Sequence, residues 1–265
     1  MPRLRLFQID AFASEVFRGN PAAVCPLEAW PADSLLQSIA SENNLPETAF
    51  FVPEGEQFRL RWFTPTQEVA LCGHATLASA YVLFRRLGHR DSIVRFESMS
   101  GPLSVSAEGD LLTLDFPRVE VELAPTPPAD LLAGLGLEPA SVFRATQDPN
   151  YYAILSSEGE VRQLRPDLEA LARLHPYGTV VSTQGVEYDI VSRYFAPSYG
   201  IPEDPVTGSI HCALAPYWGA RLGRSVLRAH QASPRGGDLR CEVRDDRVYV
   251  SGTAHLYLEG TIHVA

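Results

Sequence analysis

The chain has 265 residues, an ordinary globular composition and a net charge of −10, which argues against nucleic acid or an anionic membrane surface as partner. All 22 basic residues are arginine, so chemistry that needs a lysine amine is excluded: a pyridoxal phosphate Schiff base, a lysine-based aldolase, a Walker A loop. Met1 to Asp10 carries no signal-peptide core, and no uncharged run exceeds the 16 residues of Val69 to Phe84, short of the roughly 20 a membrane helix needs.

In chain order, Leu4 to Phe12 and Ala22 to Cys25 read as strands around a turn at Arg18-Gly19-Asn20-Pro21. Asp33 to Ser41 has helical spacing, and the helix is expected to stop near Asn43-Asn44, ahead of Pro46. Thr48 to Val52 and Phe58 to Phe63 read as strands, and Gly73 to Leu87 as a helix ended by Gly88. Three strands follow: Val94 to Phe96, Leu103 to Ala107 and Leu111 to Phe116. Pro117 to Pro128 reads as a linker.

The order then recurs: strand Asn150 to Leu155, helix Asp167 to Leu174, strands Thr179 to Ser182 and Tyr188 to Phe195, helix Gly208 to Gly219 with Pro216 inside it. Leu239 to Val243 and Arg247 to Val250 form a hairpin at Asp245-Asp246, and His255 to Val264 is a last strand with Leu256, Leu258 and Ile262 on one face.

The recurrence extends to residues. Arg61-Trp62-Phe63-Thr64-Pro65 matches Arg193-Tyr194-Phe195-Ala196-Pro197, Cys72-Gly73-His74 matches Thr207-Gly208-Ser209, and Gly101-Pro102-Leu103 matches Gly237-Asp238-Leu239. The offset stays between 132 and 136. The expected architecture is α+β: two homologous lobes, each a curved, mostly antiparallel sheet around a central helix. The lobes are placed at residues 1–120 and 129–265, with strand 255–265 as a candidate to complete the first. Such lobes are expected to face one another across a ligand cleft.

Three constellations carry chemistry. Cys72-Gly73-His74 opens a helix, whose first-turn amides favour anions; the plain alternative is a tight packing glycine and a capping histidine. In Glu203-Asp204-Pro205-Val206-Thr207-Gly208-Ser209, two carboxylates precede a second such start, and the plain alternative is that Asp204 or Thr207 caps the helix. In Asn44-Leu45-Pro46-Glu47-Thr48-Ala49-Phe50, Glu47 sits between a helix end and an apolar strand, and spacing alone favours a surface position. The second copy has Gly178 there. Arg61 and Arg193 read first as structural ion pairs and second as anion ligands. No His or Cys pair has metal-site spacing, so no metal is expected. His89, His175, His230 and His263 have no partner at ligand spacing and read as surface or loop residues, His255 as satisfying a core hydrogen bond, and Cys25 and Cys241 as packing residues. With no CxxC motif among the four cysteines and no secretion signal, reduced thiols and a cytoplasmic location are expected.

Together, Gly19-Asn20-Pro21-Ala22-Ala23-Val24, Asn44-Leu45-Pro46-Glu47-Thr48-Ala49-Phe50, Leu71-Cys72-Gly73-His74-Ala75-Thr76-Leu77-Ala78 and the Glu203–Ser209 segment resemble the phenazine biosynthesis protein F-like family, in family order and over nearly the whole chain. The resemblance implies the two-lobe fold of diaminopimelate epimerase, cofactor-independent isomerisation, a homodimer and a small anionic carboxylate substrate held between the lobes. It puts Glu47 at the family's proton-transferring glutamate, and His74, Asp204 and Ser209 at positions lining that site. Glu47, His74 and Asp204 are therefore the expected catalytic residues, and Asn20, Cys72, Gly73, Thr207, Gly208 and Ser209 the expected substrate-binding ones. Diaminopimelate epimerase has a cysteine before the glycine of both helix starts. Here the second is Thr207, and an alcohol is too weak an acid to replace a thiol. A two-thiol racemase is thus disfavoured. An epimerase using Cys72 with a carboxylate and a non-catalytic binding protein remain as alternatives.

Overall fold

The structure, a computed structural model, describes residues 3–264. Met1, Pro2 and Ala265, the outer ends of the two expected lobes, lie outside the described residues. The chain forms two compact units: one runs to Asp115 and resumes at Ser251, the other is Phe116–Val250.

The first unit contains β1 (Arg3–Ala11), β2 (Asn20–Pro26), α1 (Asp33–Asn43), β3 (Glu47–Glu54), β4 (Gln57–Phe63), β5 (Glu68–Val69), α2 (Gly73–Arg85), β6 (Ile93–Ser98), β7 (Gly101–Glu108) and β8 (Leu111–Pro117). β1 and β2 pair antiparallel across a turn in which Gly19 has φ +65° and a Cβ would collide with Ala11 O, so only glycine fits. β2 pairs parallel with β3, which requires a crossover, and α1 supplies it. β3 and β4 pair antiparallel, β4 pairs parallel with β6 across α2, and β6–β7 and β7–β8 are antiparallel.

α1 ends as expected. Asn44 takes a left-handed conformation (φ 48°) and its N–H closes on Ala40 O, while Pro46 bars continuation. The buried face of α1 (Leu36, Ile39, Ala40) packs on Cys25, Phe50 and Phe63. α2 differs in kind. It is buried nearly all round, from His74 through Leu83, and packs against β1, β2, β3 and β7. A helix apolar on every face has to be wrapped by its sheet.

The second unit contains β9 (Val121–Leu123), α3 (Ala129–Leu135), β10 (Ser141–Ala145), β11 (Asn150–Ile154), α4 (Glu158–Gln163), α5 (Leu168–Ala172), β12 (Gly178–Thr183), β13 (Ile190–Ala196), β14 (Ile201–Asp204), α6 (His211–Leu222), β15 (Val226–Gln231), β16 (Gly237–Arg244) and β17 (Arg247–Gly252). The pairing pattern is that of the first unit. β10–β11 is antiparallel, β11–β12 parallel, β12–β13 antiparallel, β13–β15 parallel and β15–β16 antiparallel. β18 (Ala254–His263) returns to pair antiparallel with β1, as β9 does with β10.

Three expectations need correction. The Pro117–Pro128 segment is no free linker: β9 lies within it, bonded to β10. α6 begins at His211 instead of Gly208, because His211, Cys212 and Ala213 donate to carbonyls three residues back, a tight 3₁₀-like entry turn over Gly208–Ile210. Leu256 and Leu258 do not keep one face of β18 in register. The pairing slips between Gln8 and Ile9, so Leu258 lies opposite Gln8 and Leu256 opposite Ile9.

Pro216 has no N–H to donate to Cys212 O within α6. That carbonyl instead accepts from Val119 N–H at 3.1 Å, which ties the segment before β9 to the helix.

Candidate active site

In the first unit, four of the expected site residues come together. Glu47 is the first residue of β3, Asn20 the first of β2, Cys72 the N-cap residue of α2, and His74 lies in its first turn. Glu47 is not at the surface as spacing suggested: it is 8 % exposed and His74 5 %. Its Oε2 lies 3.1 Å from His74 Nε2. The two groups are in close contact without the alignment of a hydrogen bond. On the other side of the ring, His74 Nδ1 is 3.1 Å from Asn20 Nδ2 and 3.5 Å from Cys72 Sγ. His74 is therefore no helix cap. Its ring spans the space between a carboxylate and two polar neighbours.

Burial, reinforced by the nearby Glu47 carboxylate, pushes the Cys72 thiol up to about 11. For His74, burial opposes a second proton, while negative charge at Cys72 and Glu47 favours it and carries the net direction upward. The Cys72 share of that effect needs a thiolate, which near neutral pH is scarce. Cys72 is thus a poor base at rest.

Glu47, Cys72 and His74 offer ligand atoms within 4.8 Å of one another, a proximity invisible in the sequence spacing. The two imidazole nitrogens face opposite ways, Nδ1 to Cys72 and Nε2 to Glu47. The three residues form a chain through the ring, whereas a chelate needs donors converging on one point.

In the second unit, Asp204 closes β14 and is 8 % exposed. Thr207 Oγ1 donates to its Oδ2. Gln231, at the end of β15, accepts from Thr207 N–H at 2.8 Å and donates to Asp204 O at 2.8 Å. Ser233 Oγ donates to Pro205 O. Neither Asp204 nor Thr207 caps α6 by a side chain; they brace the loop that leads to Gly208 and Ser209. Gln231 and Ser233 had no motif to reveal them, because they lie on a distant strand end. His211, the first residue of α6, is fully buried; its Nδ1 meets Thr207 O at 2.9 Å. Burial lowers its pKa to about 4, so the ring is neutral, Nδ1–H donates, and Nε2 is left without a hydrogen-bond partner.

Arg61 makes a two-armed contact with Glu68 (2.7 and 2.7 Å), and Arg193 with Glu203 (2.7 and 2.9 Å). Both serve as the structural ion pairs expected of them. Arg193 also donates to Val161 O and Leu164 O. The four cysteines are free and buried. Among the histidines read as surface or loop residues, His230 lies within β15, pairs with Asp238 at 2.7 Å and stacks on Tyr188, and His89 lies 3.2 Å from Ile93 O. His255 is only half-buried.

The Phenazine biosynthesis-like protein family matches residues 9–260. An uncharacterized isomerase of Pseudomonas aeruginosa is 50 % identical over 98 % of this chain and 99 % of its own. The crystal structure of a phenazine biosynthesis protein PhzF family member from Enterococcus faecalis matches with a TM-score of 0.95 at 44 % identity, covering 99 % of this chain and 100 % of that one. A hydroxyproline epimerase from Agrobacterium vitis shares the fold alone, with a TM-score of 0.64 at 11 % identity over 98 % of this chain and 92 % of its own. The chain belongs to the phenazine biosynthesis-like family of isomerases, built on the epimerase-like fold. Among the described residues, no helix is long and apolar enough to cross a membrane.

Proposed function

We propose that the protein is an isomerase that moves a proton within a small carboxylate- or carbonyl-bearing substrate, with Glu47 as its acid and base. The observation that carries this reading is a buried carboxylate set against an imidazole at the start of a central helix. In this reading Glu47 takes a proton from a carbon next to the carbonyl, and the electron pair left behind delocalises onto the carbonyl oxygen. Where a carbon–carbon double bond is conjugated with that enolate, the protonated Glu47 returns its proton to the far end of the system, so the double bond shifts and no atoms are gained or lost. The amides opening α2 suit the anionic oxygen of such a substrate. His74 steadies the carboxylate from the side.

An epimerase working through Cys72 is less well supported. Its thiol is held near 11, and the corresponding position of the second unit is Thr207, so no second thiol is in place. The test is solvent deuterium incorporation into a panel of small carboxylic acids. Wild-type protein is expected to label a substrate and Glu47→Gln to lose that labelling. Equal labelling by both proteins would remove Glu47 from the chemistry.

A further inference from the structure

We propose that Asn20 and Cys72 are positioning residues which fix the tautomer of His74, so that the ring always presents an N–H to Glu47. The inference deepens the reading of Glu47 as the base and rests on it for its purpose, though not for its geometry. Two groups meet His74 Nδ1: Asn20 Nδ2 at 3.1 Å and Cys72 Sγ at 3.5 Å. An amide nitrogen can only donate a hydrogen bond, and a thiol that keeps its proton donates too. Two donors on one nitrogen require a lone pair there. The charge at Glu47 favours a second proton on the ring, but the donors at Nδ1 leave that proton no site, so the ring's single proton belongs on Nε2, the atom 3.1 Å from Glu47 Oε2.

The consequence is chemical. With the proton on Nε2, the imidazole supports the carboxylate in its ionised, proton-accepting form. With the proton on Nδ1, the Nε2 lone pair would oppose a carboxylate oxygen at that distance. All four side chains are buried, so water does not reorganise this pattern. Three of its four residues change in the second unit, where Thr207, Ser209 and Gly178 occupy the positions of Cys72, His74 and Glu47.

The test is ¹⁵N NMR of the full chain labelled at histidine, at neutral pH and without substrate, with the His74 signals assigned by their loss in His74→Gln. The wild type is expected to show Nε2 protonated and Nδ1 bare. Cys72→Ser keeps a donor and is expected to preserve that pattern. Asn20→Asp puts an acceptor at Nδ1 and is expected to move the proton there or to give the doubly protonated ring. A wild-type ring protonated at Nδ1, or doubly protonated, overturns the proposal whether or not any variant folds. A folded Asn20→Asp with an unchanged pattern overturns it as well. The spectrum needs no turnover, so failure of the Glu47 assignment in the labelling assay is seen separately.

Discussion

The starts of α2 and α6 have the same surroundings in the chain and different side chains, and the contrast separates what the fold requires from what chemistry adds. In both, a residue at the start of the helix donates from its side chain to a carbonyl four residues back: Thr76 Oγ1 to Cys72 O at 2.6 Å, and His211 Nδ1 to Thr207 O at 2.9 Å. In both, an arginine on the preceding strand holds a glutamate with two arms. These repeated contacts shape the loop. The differences lie elsewhere. β3 opens with Glu47 and β12 with Gly178, each at the start of a parallel pair. Cys72 and His74 give way to Thr207 and Ser209. The Glu47–His74–Cys72 chain of the first unit is not repeated in the second, whose expected site carboxylate, Asp204, comes from the end of β14.

The largest expected effect breaks the asymmetry at its chemical end. Glu47→Gln keeps shape and removes charge, and loss of a general base costs on the order of 10² to 10⁴ in rate. Single-turnover deuterium labelling measures it, with circular dichroism confirming the fold. A loss of similar size in Asp204→Asn would give the second unit a direct part in the reaction.

The next effect is on stability. His211 is fully buried and its folded pKa is about 4, below an unfolded value near 6.5. Above about pH 6.5 both states are neutral and the group has no effect. As pH falls from there to about 4, the unfolded chain binds a proton that the folded chain refuses, so stability falls across that window, by on the order of 3 kcal/mol for a buried ring at most. Thr76 does not titrate, so the matching contact in the first unit has no such dependence. His211→Asn retains a donor for Thr207 O and is expected to flatten this part of the profile. Urea unfolding at pH 7 and pH 4.5 checks it, and identical pH slopes for wild type and variant would disprove the assignment.

Gly178→Ala sharpens the contrast at β12. A Cβ there would collide with Asn150 Oδ1 and the Tyr194 hydroxyl, where the first unit accommodates a glutamate. Overpacking of this kind costs about 1–3 kcal/mol. A variant as stable as wild type in urea would mean that Tyr194 and Asn150 move aside freely.

Much of this was legible in the chain. The stop of α1 followed from Asn44 and Pro46, and the start of α2 from Gly73, because local conformational rules set both. The burial of Glu47 was not legible, because it depends on β2 and α2 closing over the first residue of β3. β5, β9 and β14 span only two to four residues, too few to show alternation. Pattern placed α6 three residues early, since Gly208-Ser209-Ile210 forms a turn that periodicity cannot tell from a helix. Gln231 was invisible for another reason: its contacts lie 24 to 27 positions away in sequence.

The smallest expected effect tests whether the repeated carbonyl contact is structural in both units. Thr76→Val is nearly isosteric and removes only the hydroxyl. Cys72 O still accepts from Thr76 N–H at 3.1 Å, so no carbonyl is stranded. The loss is then that of one buried hydrogen bond, about 0.5–1.5 kcal/mol, read as a lower urea midpoint with an unchanged slope. Since the bond holds the residue that precedes Gly73 and His74, the imidazole stays between Glu47 and Asn20, and the ¹⁵N pattern of His74 is expected to persist. A midpoint shift without a change in that pattern makes the contact a brace of the fold, as in the second unit. A changed His74 pattern in a protein of near-normal stability would instead make Thr76 part of the machinery that sets the ring, and would end the parallel with His211.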